Sequence, residues 1–218
     1  MGPVAMQFDR SYFETQYRDY ERQNPARKLD FYTKLAEAAA EGHGRPKILD
    51  VGCAFGNFLK HLGPRWERCG VDASEYAIGR ARELLPEAKF EVSSGGAWTL
   101  PGPFDVVTAL DVLEHMANPG EALERISSAL RPGGGLVFAV PVYDGPSGPL
   151  IRLLDRDPTH RHRESRDYWL TLASARFRIL DWWGIYRYLL PGGPYVHLVT
   201  RRARRLTPAM ACLARRRD

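Results

Sequence analysis

Residues Ile48-Leu49-Asp50-Val51-Gly52-Cys53-Ala54-Phe55-Gly56 join an apolar run holding one acid to two glycines, and Phe58, Leu59 and Leu62 follow at helical spacing. A buried strand, a glycine turn and a helix start in that order make a cradle for a small ligand. Glycine lets the backbone approach closely, and the free N–H groups of the first helical turn point at what is bound. A second acid, Asp72, ends the apolar run Arg68–Val71, where it can grip ribose hydroxyls. Histidines supply the other chemistry. His115 follows Asp111 and Glu114, and His160 and His162 lie in Asp157-Pro158-Thr159-His160-Arg161-His162. A histidine in such a loop can take a proton from an attacking hydroxyl. The alternative is a loop pair tied to acids such as Asp155 or Asp157.

The cradle admits two kinds of cofactor. A dinucleotide fingerprint reads G-x-G-x-x-G with an acid about 20 residues on. Here Ala54 stands between Gly52 and Gly56, and Asp72 supplies the acid. Asp50 weighs against a pyrophosphate, because like charges repel, and in favour of a cofactor that presents an ammonium there. S-adenosylmethionine has an amino group and a sulfonium and no phosphate.

The elements that must position these residues alternate. Helical patterns cover residues 9–41, interrupted at Pro25. Strands are expected at Lys47–Val51, Arg68–Val71, Lys89–Val92, Asp105–Leu110 and Leu136–Val140, each ahead of a helix or turn. Ser74 reads as an N-cap, and so does Asn118 before Pro119-Gly120-Glu121. A long loop over 141–164 precedes a helix at Ser165–Ser174, a strand near Phe177–Trp182 and a last strand at Val196–Thr200. This pattern predicts a Rossmann-like doubly wound α/β sheet, mostly parallel with an antiparallel last strand, under an N-terminal helical cap. Ligands of such sheets sit at the carboxyl ends of the strands, beside the switch point. The expected division is 1–44 as the cap, 45–200 as the cofactor-binding domain and 201–218 as a basic tail.

Ile48–Gly56 resembles motif I of the class I S-adenosylmethionine-dependent methyltransferases, usually D-x-G-C-G-x-G. Gly70-Val71-Asp72-Ala73-Ser74 resembles their second motif. Phe104-Asp105-Val106-Val107 with Asp111-Val112-Leu113-Glu114-His115 resembles their fourth-strand segment, and Leu130-Arg131-Pro132-Gly133-Gly134-Gly135 the turn before their fifth strand. The four landmarks cover about residues 45–140. The subgroup resembled is that of small-molecule methyltransferases. The resemblance implies contacts to S-adenosylmethionine, and to its product S-adenosylhomocysteine, from Asp50, Gly52, Cys53, Gly56, Asp72, Ala73, Ser94, Leu110 and Tyr17. It implies an acceptor pocket built from the loop after strand five, with His160 as first choice of base and His115 and His162 behind it. Some relatives hold a divalent metal with a cluster such as Asp111, Glu114 and His115; no metal is expected here. Two departures stand out. Ala54 replaces the middle glycine, which is tolerable if φ is negative there. Ser93-Ser94-Gly95-Gly96 stands where an acid often meets adenine.

The expected reaction is O-methylation of a small-molecule hydroxyl. N-methylation of an amine is the alternative within the class, and an NAD-binding oxidoreductase or a silent nucleotide-binding module is the alternative outside it. No Asp/Asn-Pro-Pro-Tyr/Phe follows strand four and no Pro-Cys pair is present, so no nucleic-acid substrate is expected. The 218-residue chain carries a net charge of +5, but residues 201–218 alone hold +6, leaving the body near neutral. Those residues read as a solvated, partly disordered tail, or as one that touches an anionic surface. Three scattered cysteines, no long apolar run and no basic-then-apolar start point to the cytoplasm, with no leader and no membrane span.

Overall fold

The computed structural model describes residues 8–16, 20–40, 42, 44–93, 97–146, 148–155, 157–189 and 195–217. Three helices come first: α1 (Arg10–Gln16), α2 (Tyr20–Gln23) and α3 (Ala26–Ala39). Pro25 stands just ahead of α3 in extended backbone, where its missing N–H costs no helical bond. Then β1 (Lys47–Val51), α4 (Asn57–His61), β2 (Glu67–Asp72), α5 (Glu75–Leu84), β3 (Lys89–Val92) and β4 (Phe104–Leu110) alternate as the sequence pattern requires. A 3-10 turn over Leu113–His115 leads to α6 (Pro119–Ala129), β5 (Leu130–Pro141), α7 (Gly148–Leu154) and α8 (Arg166–Ser174). The chain closes with β6 (Phe177–Leu189), β7 (Tyr195–Thr200), a 3-10 turn over Arg204–Leu206 and β8 (Ala209–Arg216).

The caps expected from sequence are in place. Ser74 Oγ accepts from the N–H of Ala77, and Asn118 Oδ1 accepts from Gly120 and Glu121, with Pro119 opening α6. Ser165 caps α8 through the N–H of Tyr168.

One eight-stranded sheet runs in the order β3-β2-β1-β4-β5-β8-β6-β7. Strands β3, β2, β1, β4 and β5 are parallel, and β8, β6 and β7 continue the sheet in antiparallel pairing. The order reverses between β1 and β4, which opens the crevice at their carboxyl ends. Both faces of the sheet are covered. Ile48, Val106 and Val137 face the side packed by Leu29, Tyr32, Phe58 and Ile78, while Leu49, Val107 and Phe138 face Leu123, Ile126, Trp169 and Phe177. Successive residues along each strand therefore enter different cores, which explains the near-continuous apolar runs of the central strands.

The basic tail is the main correction. Residues 209–216 are not a solvated end; they are β8, seated between β5 and β6 with pairs such as Val137↔Leu213 and Trp182↔Cys212. The run Ala209–Ala214 is buried throughout. The arginines beside it bond to backbone at the sheet's end: Arg215 donates to Gly133 O (3.1 Å), Arg216 to Leu130 O and Arg217 to Phe177 O (3.2 Å). Arg204 stacks over the Trp182 ring at 4.1 Å and Arg201 pairs with Asp181. Upstream of β8, the fully buried Arg166 donates to Asp144, Arg204 O and Thr207 O, fixing the turn that feeds the strand. Among the described residues no helix is long and apolar enough to cross a membrane.

Removal of residues 209–218 deletes an inner strand. The expected result is loss of the cooperative melting transition in circular dichroism; a solvated tail would come off with Tm unchanged.

Candidate functional site

At the carboxyl ends of β1 and β4 lies a cavity of about 480 Å³. One end is built by the turns after β1 and β2. Gly52 (φ 75°) and Gly56 (φ 76°) both take left-handed backbone. A Cβ on Gly52 would stand 2.6 Å from a Val112 methyl, so glycine there meets a steric demand as well as a conformational one. Ala54 also has positive φ, 45°. The negative φ that would have made this alanine easy is absent, and the strain is held by a specific bond. Asp72 Oδ2 accepts from the N–H of Ala54 at 2.9 Å, while Oδ1 accepts from Ser74 N at 2.9 Å. Asp50 is 3% exposed and accepts from Thr108 Oγ1 at 2.6 Å. Burial lifts its carboxyl to about 7; the Thr108 bond pulls the other way, and the charge of Asp72 adds to the rise. Asp72 is raised as well, chiefly by burial, against the backbone N–H groups that favour its ionised form.

The other end is built by the 3-10 turn after β4 and the loop after α7. Backbone bonds join the two: Arg161 N and His162 N both donate to Glu114 O, at 3.0 and 3.1 Å. That junction sets His160 beside His115, ring centroids 4.8 Å apart. His160 Nδ1 lies 2.9 Å from Asp155 Oδ2, which also accepts from Tyr143 Oη at 2.6 Å. This pattern assigns the Nδ1 proton to the Asp155 bond and leaves Nε2 as a lone pair. Thr159 Oγ1 donates to Asp157 Oδ1 at 2.5 Å and so accepts from His115 Nδ1 at 2.8 Å. Burial, with the charge of His160 in support, lowers His115 to about 4, so it is neutral at pH 7. Helix α1 and the turn before it roof the space: Tyr12 Oη donates to Asp157 at 3.2 Å, the Phe13 ring lies 5.0 Å from that of Phe55, and Phe8 meets His115 edge-on at 5.9 Å.

Most residues expected from sequence converge here. Asp50, Gly52, Cys53, Asp72, Ala73, Leu110, His115 and His160 line the cavity. Gly56 does not line it; it caps α4, packed against Phe90 and Ala81. His162 is turned away, with Nε2 3.0 Å from Met116 O, so it stands apart from the acceptor end. Cys53 is buried with its thiol pushed well up by burial, as suits a packing residue. Ser94 and Tyr17 lie outside the described residues. Trp169 and Trp182 belong to the core.

Asp111, Glu114 and His115 do not share a helical face. Only Leu113–His115 form the 3-10 turn, and Asp111 sits before it with φ 58°, paired with Arg187. The donors that do converge are Glu114, His115 and His160, whose ligand atoms lie within 4.8 Å of one another. Glu114 is buried with Oε2 unpartnered among the described residues, and burial beside Asp111 pushes its carboxyl well above the ordinary range. The trio is close enough to share a cation; the transfer proposed below is routed through none.

Sequence reasoning missed one wall. Lys28 on α3, Arg187 on β6 and Tyr195 on β7 face the cavity from the antiparallel end of the sheet. The only local signal was a lone arginine inside the aromatic run Trp182–Tyr188.

Residues 19–202 match the family model described as "Methyltransferase domain". The chain belongs to the class I S-adenosylmethionine-dependent methyltransferases. The methyltransferase is 32% identical over 186 residues to trans-aconitate 2-methyltransferase of Rhodopseudomonas palustris (strain BisB5), covering 78% of this chain and 70% of that one. It is 37% identical over 100 residues to ubiquinone biosynthesis O-methyltransferase of Azoarcus sp. (strain BH72), covering 43% of each. Among solved structures, N-methyltransferase NodS of Bradyrhizobium japonicum WM9, in complex with S-adenosyl-L-homocysteine, superposes with TM-score 0.62 at 16% identity, over 88% of each chain. That likeness is one of fold. The dinucleotide oxidoreductase considered from sequence is set aside.

The backbone of the cradle yields a paired expectation. Ala54→Gly relieves left-handed strain and raises stability by about 1 kcal/mol with cofactor binding intact. Gly52→Ala meets Val112 at positive φ and lowers stability by more than about 1 kcal/mol. Urea denaturation of both variants checks the signs.

Proposed function

We propose that this enzyme transfers the methyl group of S-adenosylmethionine to an oxygen of a small molecule, with His160 as general base. The observation that carries this reading is a cavity that is acidic at the Asp50–Asp72 end and bounded at the other by a histidine held by Asp155. In the proposed pose Asp50 faces the amino group of the methionine part, Asp72 accepts the ribose hydroxyls through its remaining lone pairs, and Gly52 admits the cofactor against its backbone. The sulfonium brings its own leaving group. The protein's work is therefore to align the acceptor oxygen with the methyl carbon and to keep water out. Phe8, Tyr12 and Phe13 support the second task by roofing the cavity.

His160 suits the proton transfer. Its Nδ1–H is fixed on Asp155, so Nε2 faces the proton to be removed, and the carboxylate stabilises the imidazolium that forms. Burial opposes ionisation of Asp155, but the hydrogen bonds from Tyr143 and His160 outweigh it and hold the carboxyl below its ordinary range. His115, lowered to about 4, is too weak a base for this role and serves as a neutral wall. The O-methyltransferase named for the ubiquinone-biosynthesis relative agrees with this reading. Replacement His160→Ala is expected to reduce turnover of a hydroxyl acceptor by about 10²–10⁴-fold with S-adenosylhomocysteine affinity unchanged. Stopped-time product assays and calorimetry read the two quantities separately, and unaltered turnover would remove His160 from the role.

Asp50 gives a pH test. Its carboxyl is raised in the folded protein to about 7 from an ordinary 3.8. A raised carboxyl favours the protonated native state, so its contribution to stability is full below about pH 4 and is lost as pH rises towards 7. An ammonium selects the ionised form. S-adenosylhomocysteine should thus bind about tenfold more weakly at pH 6 than at its plateau above pH 8, releasing a proton on binding. Asp50→Asn should flatten that profile. Calorimetry in buffers of different ionisation enthalpy counts the proton.

A further inference from the structure

The cavity wall that sequence reasoning missed holds two cations and too little negative charge. Arg187 donates to Asp111, and burial of that pair is answered by charge: Asp111 lies below its ordinary range because Arg187 and then Lys28 outweigh its burial. Lys28 has no carboxylate of its own among the described residues. Its Nζ reaches Gln23 O at 3.4 Å and lies 5.6 Å from the centre of the Tyr195 ring. The other described groups that share this wall with it are shifted towards their neutral forms. Tyr32 and Tyr195 are phenols pushed further up by burial, burial beside Asp111 raises the Glu114 carboxyl, and His197, buried behind the wall, is lowered to about 4. Asp157, on the facing loop, already accepts from Thr159 and from Tyr12, and Arg161 adds a third cation to the cavity lining.

A half-buried ammonium with one weak carbonyl contact is costly unless a ligand completes it. Asp111 is taken up by Arg187, so Lys28 faces the cavity without an ion-pair partner among the described residues, and an anion is the ligand that answers it. Arg187 turns part of its guanidinium to Asp111, and a guanidinium has five N–H donors, so it can accept a second carboxylate partner. The two cations come from distant elements, α3 and β6, which meet only at the antiparallel end of the sheet. Their placement at the cavity is therefore a property of the tertiary fold.

We propose that the acceptor is an organic acid, its carboxylate held between Lys28 and Arg187 beside the oxygen that receives the methyl group. This rests on the function proposed above and narrows its substrate class. A carboxylate clamped by two cations has its lone pairs engaged and is a poor nucleophile. It acts as the handle, and the reacting oxygen is another group of the same molecule, presented towards His160. Lys28 and Arg187 are in this view specificity residues that fix the acceptor's orientation.

The test uses the full chain saturated with S-adenosylhomocysteine, and calorimetry with two matched pairs: 3,4-dihydroxybenzoate against its amide, and trans-aconitate against its triamide. At least one carboxylate is expected to bind tenfold or more tightly than its amide, as charge-assisted hydrogen bonds predict. Lys28→Met should bring that ratio within about twofold while leaving S-adenosylhomocysteine affinity and Tm near wild type, and Lys28→Arg should restore it. With a carboxylate that is methylated, Lys28→Met should raise KM and leave kcat within about threefold, the opposite of the split expected for His160→Ala. Amides that match their acids, a preference untouched by Lys28→Met, or saturating S-adenosylhomocysteine with no carboxylate bound at millimolar concentration each overturn the proposal. Failure to bind S-adenosylhomocysteine at all overturns the function proposed above, and this inference with it.

Discussion

Asp72 holds the site together. Its two carboxylate oxygens accept from Ala54 and from Ser74, which ties the turn after β1 to the start of α5 after β2. Without that bridge, Ala54 has no reason to stay at φ 45°, since left-handed backbone costs an alanine roughly 1–2 kcal/mol. The bond also accounts for how a chain lacking the middle glycine keeps the shape of the cradle. The same carboxylate adds its charge to the elevation of Asp50, so one interaction governs both the geometry and the electrostatics of this end.

The two ends of the cavity are opposite in character because different parts of the sheet build them. The parallel half presents acids at the carboxyl ends of β1 and β2. The antiparallel half presents Arg187 and Tyr195 from β6 and β7, and α3 brings Lys28. The 3-10 turn after β4 also lines the cavity, and its Glu114 carbonyl receives two N–H bonds from the loop carrying His160. A small loop-to-turn junction thus decides which histidine is held by a carboxylate and which is left neutral in the wall.

That antiparallel half depends on β8. The strand lies between β5 and β6, so β6 and β7 have nothing else to pair with on the parallel side. Its buried side chains other than Leu213 are small or unbranched, such as Ala211 and Met210, and they enter two cores. The flanking arginines satisfy backbone carbonyls at the end of the sheet.

The sequence alone was sufficient for the α/β alternation, for the N-caps at Ser74 and Asn118 and for the convergence of Asp50, Gly52 and Asp72 on one cavity. Each of these is a local signal: period, cap chemistry and glycine spacing act over a few residues. It misjudged residues 209–216, because counting arginines over the last eighteen residues masked a six-residue apolar run, and a short run shows its partner only when the sheet is assembled. The spacing of Asp111, Glu114 and His115 is compatible with one helical face, but the chain makes only one 3-10 turn there and Asp111 turns to Arg187. Tertiary structure alone decided which histidine meets Asp155, that His162 points to a backbone carbonyl, and that Lys28 and Arg187 share a wall. Those contacts join residues far apart in the chain, and no local rule of spacing encodes where two distant side chains will meet.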